Sequence, residues 1–322
     1  MTGRLEARLR SAPLDATLDW LGCATFRLAL DDLVVMLDAY VDRVPGAPGT
    51  GWTADDIPAA DWILVGHSHF DHLWGAERIA RNTGSRVVGS YETVRVLADA
   101  GVPYRQLVPV AGGERVRLSP HVVASVYPSQ HSCVWSQREF PGADAVCLGD
   151  LGLDYQEQQA RFAELGAWLV SLGPDVLDHL RASDQHARGD GGALVYVLET
   201  PAGRLLYQDT SGAWTPVLRE LTPDLAILAA AGRGNLDGEP IQGSLAQFVG
   251  REAALLRPRR VVLSHHDDWL PGFTSGDLDV AAVRAELARA APSTELLEVG
   301  YATAAPVLDG LGRRRAPAGA AP

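Results

Sequence analysis

The chain is 322 residues long, 47% hydrophobic and 21% charged, with 40 acidic residues against 28 basic ones and a net charge of −12. That length can bury a substantial core without disulfide staples, and that charge argues against a nucleic-acid groove or an anionic membrane surface, both of which want clustered cations. All 28 basic residues are arginine, which excludes a Schiff base, a lysine general base and a phosphate-loop lysine.

The opening stretch, "MTGRLEARLRSAPLDATLDW", is charged and lacks the apolar core of a signal peptide. No apolar run approaches the roughly 20 residues of a membrane span. Cys23, Cys133 and Cys147 form neither a CxxC nor an even framework, as suits a reducing compartment. A cytoplasmic location is expected. Strand signals come first: "ATLDWLG", "TFRLALD" and "LVVMLDAY" are short runs, with "LDDL" as a tight turn. After a Pro/Gly-rich loop at 44–58, "DWILVGH" reads as a buried strand ending in glycine. "LWGAERIARN" has helical spacing and stops at Thr83-Gly84. "SRVVGS", a helix through "YETVRVLADAG", then "RQLVPV", "ERVRLS" and "HVVASVYPS" continue a mixed αβ pattern.

Residues 132–190 break the rhythm. "YQEQQARFAELGAWLVSL" is helix-prone, with Phe162, Leu165, Leu169 and Leu172 on one face. Strands resume with "ALVYVLET", a turn at Pro201–Gly203 and "RLLYQDT". Two alternations follow: "DLAILAAAG" with a helix around "SLAQFVGREAALL", then "RRVVLSHH" with a helix near "DVAAVRAELARA". No fixed-period repeat and no interdomain linker stand out. The simplest organisation is one αβ domain over 1–312, a helical insertion at 132–190 inside it, and a disordered tail at 313–322.

One stretch, "ILVGHSHFDHLWG", packs His67, His69, Asp71 and His72 into six positions, a third of the chain's nine histidines. In an extended segment His67 and His69 project to the same side, while Asp71 and His72 fall where the chain turns into a helix and can face a second point. Imidazole and carboxylate suit zinc, iron or manganese, and two ligand clusters in one loop suggest two ions that draw further ligands from elsewhere. Three distant apolar strands end in such residues: His131 after "HVVASVYPSQ", Asp209 after "RLLYQ" and His265 after "RRVVLS".

HSHFDH resembles the H-x-H-x-D-H signature of the metallo-β-lactamase-fold hydrolases, and the later histidine, strand-end aspartate and last histidine follow that family's order. "LDWLGCATFRLALDDLVVMLDAY" resembles the family's opening hairpin, with Asp38 just before the first loop. The likeness spans about residues 16–300 apart from 132–190, and is greatest to the small-molecule branch of ascorbate-phosphate lactonases and N-acyl-phospholipid phosphodiesterases. It implies an α/β fold, a four-layer αββα sandwich with a helical insertion. It also implies two divalent ions, zinc first with manganese or iron as alternatives. His67, His69 and His131 would hold one, Asp71, His72 and His265 the other, with Asp209 bridging. His266 beside His265 is the competing last ligand, or a proton donor.

The expected activity is hydrolysis of an ester, lactone, amide or phosphodiester in a small molecule by a metal-bound hydroxide. Asp71 and His266 are the candidate catalytic side chains. Asp38 is expected to support a ligand-bearing loop, Cys133 to be a buried inert thiol, and His121 to lie on the surface. His179 and His186 are expected to face solvent or substrate. The insertion starts and ends between two ligand positions, which makes it a lid or pocket wall suited to a substrate with an apolar moiety. Two other functions share the ligand set: an iron-dependent oxygenase on the same fold, and a metal-containing binding or sensor protein.

Overall fold

The computed structural model describes residues 16–133, 154–184, 189–274, 276 and 278–308. Its strands, in chain order, are β1 (Ala16–Gly22), β2 (Thr25–Leu30), β3 (Leu33–Leu37), β4 (Trp62–Leu64), β5 (Arg86–Gly89), β6 (Leu107–Pro109), β7 (Arg115–Arg117), β8 (Val123–Pro128), β9 (Leu194–Glu199), β10 (Arg204–Gln208), β11 (Gly212–Ala213), β12 (Leu225–Ala229), β13 (Asn235–Leu236), β14 (Glu239–Pro240), β15 (Arg260–Ser264), β16 (Glu295–Leu296) and β17 (Ala305–Pro306). The helices are α1 (Phe70–Leu73), α2 (Ala76–Thr83), α3 (Tyr91–Asp99), α4 (Tyr155–Val170), α5 (Pro174–Ser183), α6 (Thr215–Glu220), α7 (Leu245–Leu256) and α8 (Val280–Ala290).

One seven-stranded sheet runs β17-β1-β2-β3-β4-β5-β6 and a second runs β16-β15-β12-β10-β9-β8-β7, with β11, β13 and β14 in a small third sheet. Side chains alternate across a strand, so each apolar run serves two layers. Val35, Leu37 and Leu64 of the first sheet meet Tyr196, Leu205, Tyr207 and Ile227 of the second in a core between the sheets. Met36 and Ile63 point the other way, onto Ile79 of α2 and Val96 and Leu97 of α3. Val197, Leu206 and Leu228 do the same on the far side, against Val249 of α7 and Val283 of α8. Helix, sheet, sheet and helix thus stack in four layers, the architecture the resemblance implies.

The helix read over "LWGAERIARN" is two helices. Gly75, at φ +111°, breaks it, and a Cβ there would lie 2.5 Å from the Ala39 carbonyl oxygen. Only glycine combines that φ with so close a backbone approach. In the insertion, α4 lies on the surface with none of its described side chains fully buried, and α5 anchors it. Val176 and His179 of α5 are buried with Tyr40, Trp269 and Leu270, and Leu169 and Leu172 pack against that cluster. Trp135, Cys147, His186, the side chain of Phe162 and the expected tail at 313–322 lie outside the described residues. Among the described residues no helix is long and apolar enough to cross a membrane.

Candidate functional site

The site begins where β4 ends. Trp62, Ile63 and Leu64 are buried on both faces of the sheet, and the chain leaving them is held by Gly66 N–H donating to Asp38 Oδ1 at 2.8 Å. Gly66 is required here: a Cβ would fall 2.1 Å from the Asp209 carboxyl carbon. His67 follows, and His69 caps α1. The single helical turn of α1 carries Asp71 and His72 inward while Ala39 N–H donates to the His72 carbonyl at 2.8 Å.

His67, His69 and His131 face one another edge-on, with ring centroids 4.7, 4.7 and 4.8 Å apart. His67 Nε2 lies 3.0 Å from His69 Nδ1, and His67 Nδ1 lies 2.6 Å from Asp209 Oδ2. Around a second point, Asp71 Oδ2 lies 3.2 Å from His265 Nε2 and 3.3 Å from His72 Nε2. His72 turns its other nitrogen, Nδ1, to Asp38 Oδ2 at 2.6 Å, so Asp38 fixes the ring that Asp71 faces. Three groups have all their ligand atoms within 4.8 Å of one another: His67, His69 and His131; His67, His72 and Asp209; and Cys23, Asp71 and His265. Asp38 and His265 hold left-handed φ values of +55° and +61°, a conformation that aspartate and histidine tolerate better than most side chains.

The electrostatics fit cations. Asp209 is fully buried, and its Oδ1 has no hydrogen-bond partner; a buried carboxylate oxygen without a donor is costly unless a cation meets it. Burial, then the neighbouring imidazoles, hold His67 and His69 well below the usual histidine range, leaving lone pairs free to ligate. Burial pushes Asp71 up, but His72 and His265 outweigh it and keep the carboxyl ionised. Burial lowers His72, and Asp71 and Asp38 more than offset it, so a cation held there would displace the ring's proton. Burial raises Asp38 to about 6 against the pull of His72.

His131, Asp209 and His265 arrive on the loops after β8, β10 and β15, so all seven candidate ligands meet at one edge of the two sheets. His266 enters none of the three groups among the described residues. It stacks on Trp20 at 4.7 Å between ring centroids and borders a cavity of about 1160 Å³ that opens onto His69, Asp71, His131 and His265. His179 is a correction: it faces neither solvent nor substrate, but is buried with Nε2 2.7 Å from the Tyr40 hydroxyl. His121 is exposed and Cys133 buried. Reading the sequence did not find Cys23 at the site. Its only linear signal is a small residue after Gly22 in a turn, and the groups it meets lie 48 and 242 residues away.

Residues 34–149 match the model of the β-lactamase superfamily domain. A metal-dependent hydrolase of the UPF0173 family from Pyrobaculum calidifontis is 32% identical over 117 residues, 36% of this chain and 50% of the relative. A counterpart from Chloroflexus aurantiacus is 34% identical over 119 residues, 37% of this chain and 48% of the relative. The chain thus spans about half the length of the curated relatives it matches. Among solved structures, the metallo hydrolase Igni18 from Ignicoccus hospitalis superposes with a TM-score of 0.56 at 16% identity, over 89% of this chain and 95% of that one. The diiron β-hydroxylase CmlA from Streptomyces venezuelae superposes at 0.50 with 15% identity, over 89% and 54%. The fold is that of the metallo-β-lactamase superfamily, and residues 34–149 carry the sequence likeness to it.

Proposed function

We propose that the chain is a metal-dependent hydrolase of a small neutral ester, lactone or amide. The observation that carries this is the convergence of His67, His69, Asp71, His72, His131, Asp209 and His265 at one sheet edge, where His69, Asp71, His131 and His265 line one cavity and a buried Asp209 oxygen behind them is left unpaired. The metal-dependent hydrolases matched in sequence support the same class. His67, His69 and His131 would hold one divalent ion, Asp71, His72 and His265 a second, with Asp209 between them. Bound there, such ions supply Lewis-acid polarisation and a water acidic enough to attack at neutral pH.

The chain's own groups do the rest. Ionised Asp71 is placed to accept the attacking water's proton, and Asp38 holds His72 in register. Burial keeps His266 below the usual histidine range, so it meets substrate uncharged, as a hydrogen-bonding group in the cavity wall. The walls set the substrate. Leu169, Leu270 and Phe273 line an apolar side, while Asp184 and Asp190 bring carboxylates. A second anion, such as a phosphodiester, is repelled by those carboxylates, and a carbonyl substrate with an apolar moiety is not.

The test is turnover by chelator-stripped protein reloaded with zinc or manganese, on matched nitrophenyl esters, lactones and a phosphodiester. We expect saturable ester or lactone turnover that Asp209→Ala and His69→Ala abolish; activity indifferent to chelator and to both substitutions would sink the proposal. The CmlA-like fold and the carboxylate–imidazole donor set support a second reading as an iron-dependent oxygenase. Iron with oxygen uptake, rather than zinc with hydrolysis, would select it.

A further inference from the structure

Cys23 sits in the two-residue turn between β1 and β2, fully buried. Its Sγ, an Asp71 carboxylate oxygen and a His265 ring nitrogen form a group whose three ligand atoms all lie within 4.8 Å of one another. Among the described residues its side chain makes one weak hydrogen bond, Sγ–H donating to the Asp71 backbone carbonyl at 3.5 Å. That leaves the sulfur's lone pairs uncommitted, beside an ionised carboxylate and an imidazole.

The backbone around it is held far more firmly than a turn requires. Cys23 N–H donates to both Asp267 oxygens, at 3.0 and 3.1 Å. Its carbonyl accepts from His265 N–H at 2.7 Å and from Trp20 Nε1 at 2.9 Å. Its φ is +49°, a left-handed conformation that glycine, asparagine or aspartate adopts at lower cost. The loop that delivers His265 therefore also delivers the thiol, and a strained residue is kept where a glycine would turn the chain more easily.

We infer that Cys23 is a ligand of the second metal position, joining Asp71, His72 and His265. This rests on the metal-centre reading above and deepens it. On binding, the Sγ–H bond breaks, its proton leaves to solvent, and the sulfur electron pair forms the bond to the cation; nothing is oxidised or reduced. The two positions then differ in kind. The first would draw on the three imidazoles of His67, His69 and His131 and the second on a thiolate beside Asp71, His72 and His265, with Asp209 shared between them. A thiolate also biases that position toward zinc and away from manganese or magnesium.

The test titrates metal-free full-length protein with cobalt(II) and with cadmium(II), following the near-ultraviolet sulfur-to-metal charge-transfer band. We expect the band in the wild type and in Cys133→Ala, its absence in Cys23→Ser, and at least about tenfold weaker binding of one equivalent in that variant. A band that survives in Cys23→Ser overturns the assignment. Should that variant misfold, X-ray absorption on zinc-loaded wild type decides: a sulfur neighbour at about 2.3 Å is expected, and a shell of nitrogen and oxygen alone overturns it. Two equivalents bound without sulfur leave the hydrolase proposal standing and remove only Cys23, whereas no metal uptake at all removes both.

Discussion

At the scale of single residues the site depends on what is left out as much as on what is placed. Gly66 has no Cβ, and that gap is what Asp209 occupies on its way to His67. Gly66→Ala is therefore expected to push the Asp209 carboxylate off His67. Overpacking of this kind costs about 1–3 kcal/mol, and the larger effect falls on metal affinity, which should drop by at least about tenfold. Competition with a chromophoric chelator measures it, and unchanged affinity in Gly66→Ala would show that Asp209 is not held as described. The seven candidate ligands were legible because four crowd into HSHFDH just behind an apolar run, and His131, Asp209 and His265 each come shortly after a distant apolar strand. Cys23 was not. A buried cysteine is also an ordinary small hydrophobe, and only the return of the chain at His265 and Asp267 gives its sulfur a different setting. Gly66 carried no readable signal either, because its role is defined by an aspartate 143 residues later.

At the scale of elements, the helical arm of α4 and α5 is docked by an apolar seam that holds a buried polar contact. The Tyr40 hydroxyl, held protonated by burial, donates to His179 Nε2 at 2.7 Å, with Phe70, Trp74 and Trp269 around the pair. Burial, then the Arg43 guanidinium, lowers His179 to about 4, against a smaller opposing pull from Asp42. The released arm takes up a proton near pH 6.5 and the docked arm does not, so docking is at full strength above about 6.5 and weakens as pH falls toward 4. A protonated ring keeps the contact only by reversing it, with Nε2–H donating to the Tyr40 oxygen. Hydrogen exchange over residues 154–184 should thus accelerate between pH 7 and pH 5 beyond the intrinsic rate change, and His179→Gln should remove most of that extra dependence. Equal pH dependence in both proteins would place the arm's anchor elsewhere. The arm's helicity was legible, but its attachment was not: the stripe of Leu165, Leu169 and Leu172 and the flanking ligand positions pointed to a lid or pocket wall, while the buried polar pair joins residues 139 apart. Elements of two residues, β16 and β17, were also missed, since no period can be read from a pair; each exists because a longer strand offers it an edge.

At the scale of the whole molecule, the candidate ligands are split between the two sheets. His67, His69, Asp71 and His72 follow β4 of the first, and His131, Asp209 and His265 follow strands of the second. The inner core joins the sheets by apolar contact, but at the edge where the loops meet, the contacts are between imidazoles and carboxylates whose charges are only partly matched. Ions bound there act as cross-links between the layers, and binding becomes folding free energy because the unfolded chain cannot assemble donors this far apart in sequence. At a metal concentration of 100 times the dissociation constant, one such site adds about 2.7 kcal/mol. At about 2–4 °C per kcal/mol for a chain approaching this size, that raises the midpoint of thermal unfolding by about 5–10 °C. Scanning calorimetry with zinc and with excess chelator measures the difference directly. Asp209→Ala is expected to abolish most of it while unfolding near the midpoint of the stripped wild type, since the substitution removes the unpaired buried carboxylate together with its counter-ion. A midpoint that does not move with zinc in the wild type would mean that the two sheets hold this edge together without a metal, and the donors would then have to be explained by the protein's own hydrogen bonds.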